Sequence, residues 1–265
     1  MYPPSHFRRT IAVGFCVSIS FLALACGSTG STAIPASTTE KPASTSITAM
    51  GTSAKPNQTA ATTADGAAAT GAVVSFTAQV WADNWFALYV NGKLVGEDSV
   101  PITTERSFNA ETITFTATYP LTIAIETKDF KETDSGIEYI GLPNQQMGDG
   151  GLIAQIVDNS TGKVTAATGG DSKALVIQRA PLNTACEKDK DPDTTCQFAS
   201  FEMPDQWTSA SFDDRGWSPA TEWSAADVGP KGGYDEITWD PSAALIWGSD
   251  LKVDNTVLLR FTTTG

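Results

Sequence analysis

A short stretch around residue 85 combines side chains that commonly hold a sugar ring: two indoles, a carboxylate, an amide and a phenol. These side chains belong to Trp81, Asp83, Asn84, Trp85 and Tyr89. A flat indole packs against the apolar C–H groups of a sugar, while neighbouring polar groups hydrogen-bond its hydroxyls. We therefore predict a carbohydrate-binding surface here. The competing interpretation is structural, with a loop or the N-terminal linker covering the two tryptophans.

Catalytic chemistry is restricted by the near absence of histidine. The only histidine, His6, lies in a predicted export signal, so the folded domain cannot use a Ser-His-Asp or Cys-His mechanism. Paired carboxylates could cleave glycosides, and Val73 to Gly265 contains 28 acidic residues, but no spacing singles out two of them. We predict a non-catalytic protein without a cofactor. A histidine-free glycosidase or lyase is one alternative.

Two cysteines predict a disulfide. Cys186 and Cys196 enclose the polar segment 187–195. In an oxidising compartment such a pair forms a bond that stabilises the fold by roughly 3 kcal/mol on the loop-entropy model. Two thiols without histidine leave too few ligands for an ordinary zinc site.

The same segment carries alternating carboxylates, which raises the question of calcium. Asp189, Asp191 and Asp193 resemble the start of a calcium loop, but the glycine and the later acidic residue that an EF-hand requires are missing. We therefore predict a solvated charged loop and no side-chain metal site. A structural calcium held by backbone carbonyls would leave no mark in the sequence.

The elements that must position these residues are strands. Alternating apolar and polar residues predict strands along most of the domain, and no segment shows a sustained helical stripe. Asn91-Gly92 predicts a tight hairpin, and the turn 158–162 predicts a second one between 152–157 and 163–167. The sequence predicts a single all-β domain over 73–265, either a jelly roll or another β-sandwich.

Strand periodicity also assigns faces. Phe86, Leu88 and Val90 share one face, which we predict to be the core side, so Trp85 and Tyr89 point the other way. The same count along 74–80 places Trp81 on the polar face of the preceding strand. The predicted sugar-binding side chains therefore lie away from the core.

Three motifs resemble one known family. The run from Ala82 to Lys93, the loop from Ala210 to Trp217 and the closing Leu258-Leu259-Arg260 are similar to segments of galactose-binding-domain-like jelly rolls, such as those appended to glycoside hydrolases. The resemblance covers both ends of the domain and leaves the cysteine loop unmatched. It implies a jelly-roll fold, in which the Asp-Asp-Trp loop and the Asn-Gly hairpin mainly shape the backbone. Members of this family bind sugars, other ligands or nothing.

The N-terminal region resembles a bacterial lipoprotein signal. Arg8 and Arg9 precede a short apolar stretch, 11–25, that ends at Cys26, although the position three residues before this cysteine holds Ala23 instead of the usual leucine. We predict a signal peptide over 1–25 and lipidation of Cys26. The alternative is an ordinary secretory signal, which would release the protein from the cell.

A linker follows the predicted anchor. Residues 26–72 form a tether rich in Ser, Thr, Ala, Gly and Pro that cannot bury enough apolar surface to fold. As a flexible coil it would reach about 40 Å from the membrane.

The net charge of the predicted domain limits the classes of partner it can bind. Residues 73–265 contain 13 basic and 28 acidic residues, a net charge of −15, which argues against nucleic acid and against electrostatic docking on anionic lipid. We therefore expect a module tethered to the cell envelope by its acyl anchor, with a carbohydrate or glycan as its partner. A structural or interaction module for an envelope protein is the remaining alternative.

Overall fold

Two antiparallel sheets pack face to face in the computed structural model, which describes residues 71–103 and 109–265. The fifteen strands are β1 Val74–Asp83, β2 Trp85–Val90, β3 Lys93–Glu97, β4 Ala110–Ala117, β5 Leu121–Lys128, β6 Ile137–Glu138, β7 Gln146–Met147, β8 Gly151–Asp158, β9 Lys163–Ala167, β10 Lys173–Arg179, β11 Ala199–Ser200, β12 Ser218–Pro219, β13 Thr221–Trp223, β14 Leu245–Trp247 and β15 Asp254–Thr263. The helical segments are short: α1 Pro192–Thr195, α2 Ala225–Val228 and the 3₁₀ turns Thr184–Lys188 and Tyr234–Glu236. The predicted all-β sandwich is confirmed.

The sheets divide the chain between them. The six-stranded sheet has the order β13-β14-β8-β1-β4, with β9 pairing β8. The seven-stranded sheet has the order β11-β10-β15-β5-β2-β3, with β12 pairing β10. Strands β6 and β7 form a separate two-stranded ribbon. Because β1 and β2 lie in different sheets, the chain crosses the sandwich at Asn84.

The core lies between the two sheets and follows the predicted alternation. Phe76 and Val80 of β1 meet Phe86 and Leu88 of β2 in one buried cluster. Burying an apolar side chain of this size contributes about 1.5–3 kcal/mol relative to leaving it exposed. The opposite faces of the two sheets are therefore left for loops or ligands.

Both predicted hairpins are present. Asn91 and Gly92 connect β2 to β3 with positive φ angles of 51° and 80°, the backbone that a two-residue type I′ turn requires. The Asn91 side chain extends this turn, because it donates to the Thr118 carbonyl and accepts from the Thr122 amide. Strands β8 and β9 form the second hairpin.

Loops cover much of the outer faces. On the seven-stranded sheet, Trp207 and Trp217 pack over Ala124 and Leu258. Arg260, only 2% exposed, anchors this cover through Asp214 at 2.9 Å and through backbone carbonyls of the same loop. The Asp-Asp-Trp segment thus shapes the backbone in this protein.

The predicted disulfide is confirmed, and it belongs to a small second core. Cys186 and Cys196 are bonded to each other and pack against Ile137 of the β6–β7 ribbon. Gln145 ties the ribbon to the cysteine loop by donating to the carbonyls of Glu187 and Asp189, at 2.7 and 2.9 Å. The cysteine loop therefore supports the excursion of the chain between β5 and β8.

The predicted signal peptide, Cys26 and all but the last two residues of the predicted linker lie outside the described residues. Among the residues that the structure does describe, no helix has the length and apolar character needed to cross a bilayer.

Candidate functional site

The residues predicted to form one sugar-binding surface lie in two different places. Trp81 is 0% exposed, donates from Nε1 to the Gly232 carbonyl at 3.1 Å and packs edge-to-face on Tyr234. It does point away from the central core, as predicted, but the segment after α2 folds over that face. The expectation of an open indole face is therefore wrong for Trp81.

Asp83 and Asn84 are also closed to solvent, being 0% and 1% exposed. Asn84 Oδ1 accepts from the Phe130 backbone N–H at 2.5 Å, and the backbone N–H of Asn84 donates to the Lys128 carbonyl. These contacts fix the crossover between the sheets, and they take both residues away from the surface expected for them.

Trp85 and Tyr89 do lie on the outer face of the seven-stranded sheet, as predicted. Trp85 is half-buried, with the Lys128 ammonium 4.7 Å from its ring centroid. Tyr89 packs edge-to-face on Trp207. Burial first, and then the nearby Glu126 and Glu97 carboxylates, raises the pKa of Tyr89 above its ordinary value. The Lys128 ammonium therefore lies over the Trp85 ring, and Trp207 packs on the Tyr89 ring, so both rings are partly covered.

A groove of about 680 Å³ opens on this outer face, on the Lys128 side of Trp85. Its apolar lining includes Phe130, Ile177 and Phe201, while Glu126 and Lys128 contribute polar groups. Phe130 is 6% exposed and packs into the wall, whereas Phe201 is 60% exposed. The groove therefore combines a free aromatic face with hydrogen-bonding groups.

The polar groups of the groove are held in place by ion pairs. Lys128 Nζ lies 2.8 Å from Glu126 Oε1, and Lys131 Nζ lies 2.5 Å from Asp134 Oδ1. Both pairs are partly solvated, so they contribute little to stability. Their effect is to hold donors and acceptors along the groove in defined positions.

A second site, which the sequence did not indicate, is a cluster of acidic side chains that we call the carboxylate cluster: Asp83, Asp129, Glu138 and Asp149. One oxygen from each of Asp129, Glu138 and Asp149 lies within 4.8 Å of the other two. The four residues come from separate elements: the end of β1, the residue after β5, strand β6 and the loop before β8. The fold thus brings together four acidic residues that are far apart in the sequence.

Polar side chains border the carboxylate cluster. Gln146 Nε2 donates to Glu138 Oε2 at 2.9 Å, and Asn255 Nδ2 lies 3.4 Å from Asp129 Oδ2. Lys231 Nζ lies 3.4 Å from Asp149 Oδ2. The Lys231 ammonium therefore lies at the Asp149 edge of the cluster.

Burial and mutual repulsion perturb these acids. Desolvation, then Asp149 and Glu138 against a smaller opposing effect of Lys231, raises the pKa of Asp83 to about 8. Desolvation, then Glu138, Asp83 and Asp149, raises the pKa of Asp129 well above its usual range. The cluster consequently favours either protons or a cation.

The aspartates of the cysteine loop do not form a comparable site. Asp189, Asp191 and Asp193 are exposed, and Asp193 accepts a hydrogen bond from Thr133. Within 71–103 and 109–265, the three carboxylates that could hold a metal ion are Asp129, Glu138 and Asp149.

Comparison with known proteins gives no relative: no family model, curated protein or solved structure matches the chain. The fold and the two sites therefore rest on the sequence and on the geometry given above.

Proposed function

We propose that the folded domain is a non-catalytic ligand-binding module whose ligand is a neutral glycan held in the groove beside Lys128. The observation that carries the proposal is Phe201, an aromatic ring 60% exposed within a concave surface that also holds charged and apolar groups. Aromatic faces and nearby polar groups are the combination that sugars require. The net charge of −15 over 73–265 disfavours a polyanionic glycan.

The proposed position differs from the one expected from the sequence. It keeps Trp85 near the ligand, because Trp85 and Lys128 are partners across β2 and β5. It leaves out Trp81, Asp83 and Asn84, which are buried. The resemblance to galactose-binding-domain-like jelly rolls agrees with a sandwich that binds sugars, and it is part of this proposal.

Titration calorimetry of the full chain against soluble neutral polysaccharides tests the proposal. We expect dissociation constants in about the millimolar to micromolar range, as one exposed ring and a few solvated hydrogen bonds would give. Phe201→Ala should weaken binding by about tenfold, because it removes the stacking face. Phe198→Ala is the matched control, since Phe198 is 50% exposed but does not line the groove.

A specific observation favours one alternative function. Leu182, Phe198, Phe201 and Met203 are all at least 40% exposed and come from one stretch of chain, as in a surface that docks on a protein. An interaction module would bind no glycan, and Phe198→Ala would then weaken partner binding as much as Phe201→Ala. Equal effects of the two variants, or no glycan binding at all, would overturn the groove proposal.

We further propose that the module is held at the cell envelope by a lipid on Cys26, at the end of the linker 26–72. The basic pair and the short apolar stretch before Cys26 support this proposal. In a bacterial host, Cys26→Ser should abolish labelling by a palmitate analogue and release the protein from membranes. Labelling that persists in this variant would contradict the proposal.

A further inference from the structure

The carboxylate cluster lies outside the proposed groove function, although Asp129 borders the groove. Three of its oxygens already lie within 4.8 Å of one another. This upper limit on the separations suits either calcium or magnesium, but magnesium usually keeps several waters and takes about one or two carboxylates, whereas calcium takes about six to eight oxygens. A site with at least three carboxylates therefore favours calcium.

Unpartnered oxygens give a second and independent indication. Asp83 is 0% exposed, and neither of its carboxylate oxygens has a hydrogen-bond partner within the described part of the chain. The same holds for Oδ1 of Asp129 and Oδ1 of Asn255, which are 2% and 0% exposed. Buried polar atoms without partners are rare and costly, because burial removes water and supplies nothing in its place. A cation among these oxygens would satisfy them.

The charge balance points the same way. Lys231 is the ammonium found beside the cluster, and its side chain is 48% exposed. Protonation would reduce the charge of the carboxylates, but each protonated carboxyl supplies a single O–H donor, and both oxygens of Asp83 as well as Oδ1 of Asp129 lack partners. A divalent cation accounts for both the charge and the orphaned oxygens.

The backbone also makes room for this arrangement. A Cβ on Gly148 would lie 1.7 Å from Asp129 Oδ2, so any other residue would push the carboxylate out of place. Asp149 is 36% exposed and borders a surface depression, which gives an ion a route from solvent. The cluster therefore has fixed ligands inside and an entry at its edge.

We propose that Asp129, Glu138 and Asp149 bind one calcium ion, with the buried Asp83 beside the same site. All the groups are oxygen donors, which suit a hard cation, and the cluster contains no imidazole or thiolate to select zinc. The ion joins the segment 129–149 to the end of β1 and the start of β15. Because Phe130 lines the groove and follows Asp129, the ion also supports one wall of the groove.

Calorimetric titration of the EDTA-treated full chain with CaCl₂ at pH 7.4 tests the proposal. We expect one calcium ion per chain, and at a hundredfold excess over the dissociation constant a rise in Tm of about 5–10 °C. Asp129→Asn should abolish calcium binding and the rise in Tm. Asp191→Asn is the control, because Asp191 is an exposed acid of the cysteine loop, and it should bind calcium as the parent does.

Two further measurements distinguish loss of calcium binding from failure of a variant to fold. In EDTA, Asp129→Asn should melt at or above the parent temperature, because it removes one of several repelling acids. Gly148→Ala keeps every carboxylate and should still lower calcium affinity at least tenfold by displacing Asp129. Absence of calcium binding by the parent, unchanged binding in Asp129→Asn, or equal affinity for magnesium would overturn the proposal. None of these outcomes depends on glycan binding.

Discussion

Two neighbouring residues at the start of β15, Asp254 and Asn255, contact two regions that differ in how buried charge is compensated. Asp254 is 0% exposed, and its carboxylate lies 2.7 Å from Arg179 Nε and accepts from the Asp250 amide at 3.0 Å. Asn255, the next residue, turns the other way and meets Asp129 in the carboxylate cluster. One side of the strand pairs a buried charge with a guanidinium, and the other faces four acids with the Lys231 ammonium at their edge.

The two regions differ in whether a buried carboxylate has a cationic partner. A buried carboxylate stabilises a fold only when a partner offsets its desolvation. Arg179 supplies that partner for Asp254, and Arg260 has Asp214. Since these two ion pairs compensate buried charge with arginine, the carboxylate cluster differs from them, and under the calcium proposal an ion would supply its compensation.

The largest expected effects come from replacing an aspartate with asparagine in each of the two regions. Asp254→Asn breaks an ion pair and should lower the free energy of unfolding by about 2–4 kcal/mol, less than for a fully buried pair because Arg179 is 40% exposed. Asp83→Asn in EDTA removes a repelling acid and should raise the free energy of unfolding by about 1–3 kcal/mol. Urea unfolding at pH 6 measures both values. The same sign for both variants would mean that the two regions do not differ in charge compensation.

A second effect, spread over several pH units, should appear in the pH dependence of stability without calcium. The pKa of Asp83 is raised from 3.8 to about 8, so between these values the folded state holds a proton that the unfolded state has released. Stability contributed by this proton is complete near pH 4 and declines as pH rises towards 8. In EDTA we expect the free energy of unfolding to fall by about 1 kcal/mol per pH unit over this range.

The control for this slope is Asp83→Asn, which should reduce it and leave the part due to Asp129, whose pKa is also raised. Saturating calcium should flatten the slope, because the cation stabilises the deprotonated acids that proton loss produces. A slope in EDTA that is equal in the parent and in Asp83→Asn would place the titration elsewhere in the molecule.

The sequence predicted the local features of this fold well. The Asn91-Gly92 turn depends on residues that tolerate positive φ, and the core face of β2 follows from a period of two. Both are properties of adjacent residues, so no tertiary information was needed. The disulfide was equally accessible, because Cys186 and Cys196 are the only cysteines after residue 26.

Long-range coverage was not accessible in the same way. The period of two correctly turned Trp81 away from the central core, but it says nothing about what packs on the other side. The segment carrying Tyr234 and Leu245 covers that face, about 150 residues further along the chain.

The carboxylate cluster was missed for a related reason. Asp83, Asp129, Glu138 and Asp149 come from four elements, and no regular spacing joins them. Two signals were present in retrospect: an acid at the end of a strand, at Asp83, and Gly148 directly before Asp149. Neither signal is specific without the sheet order. The pairing of Asp83 with Gly151 brings the end of β1 next to the start of β8, and therefore Asp83 near Asp149.

The link from Gln145 to the cysteine loop has a consequence for the order in which the protein matures. The excursion 129–149 carries three of the four clustered acids, and the oxidised loop holds its far side through Glu187 and Asp189. A chain still in a reducing cytoplasm would lack that support at the ribbon bearing Glu138. If the chain is exported as proposed, an oxidising and calcium-rich exterior would supply both missing conditions at once. The ion-binding segment would then reach its final form only after the protein has left the cell.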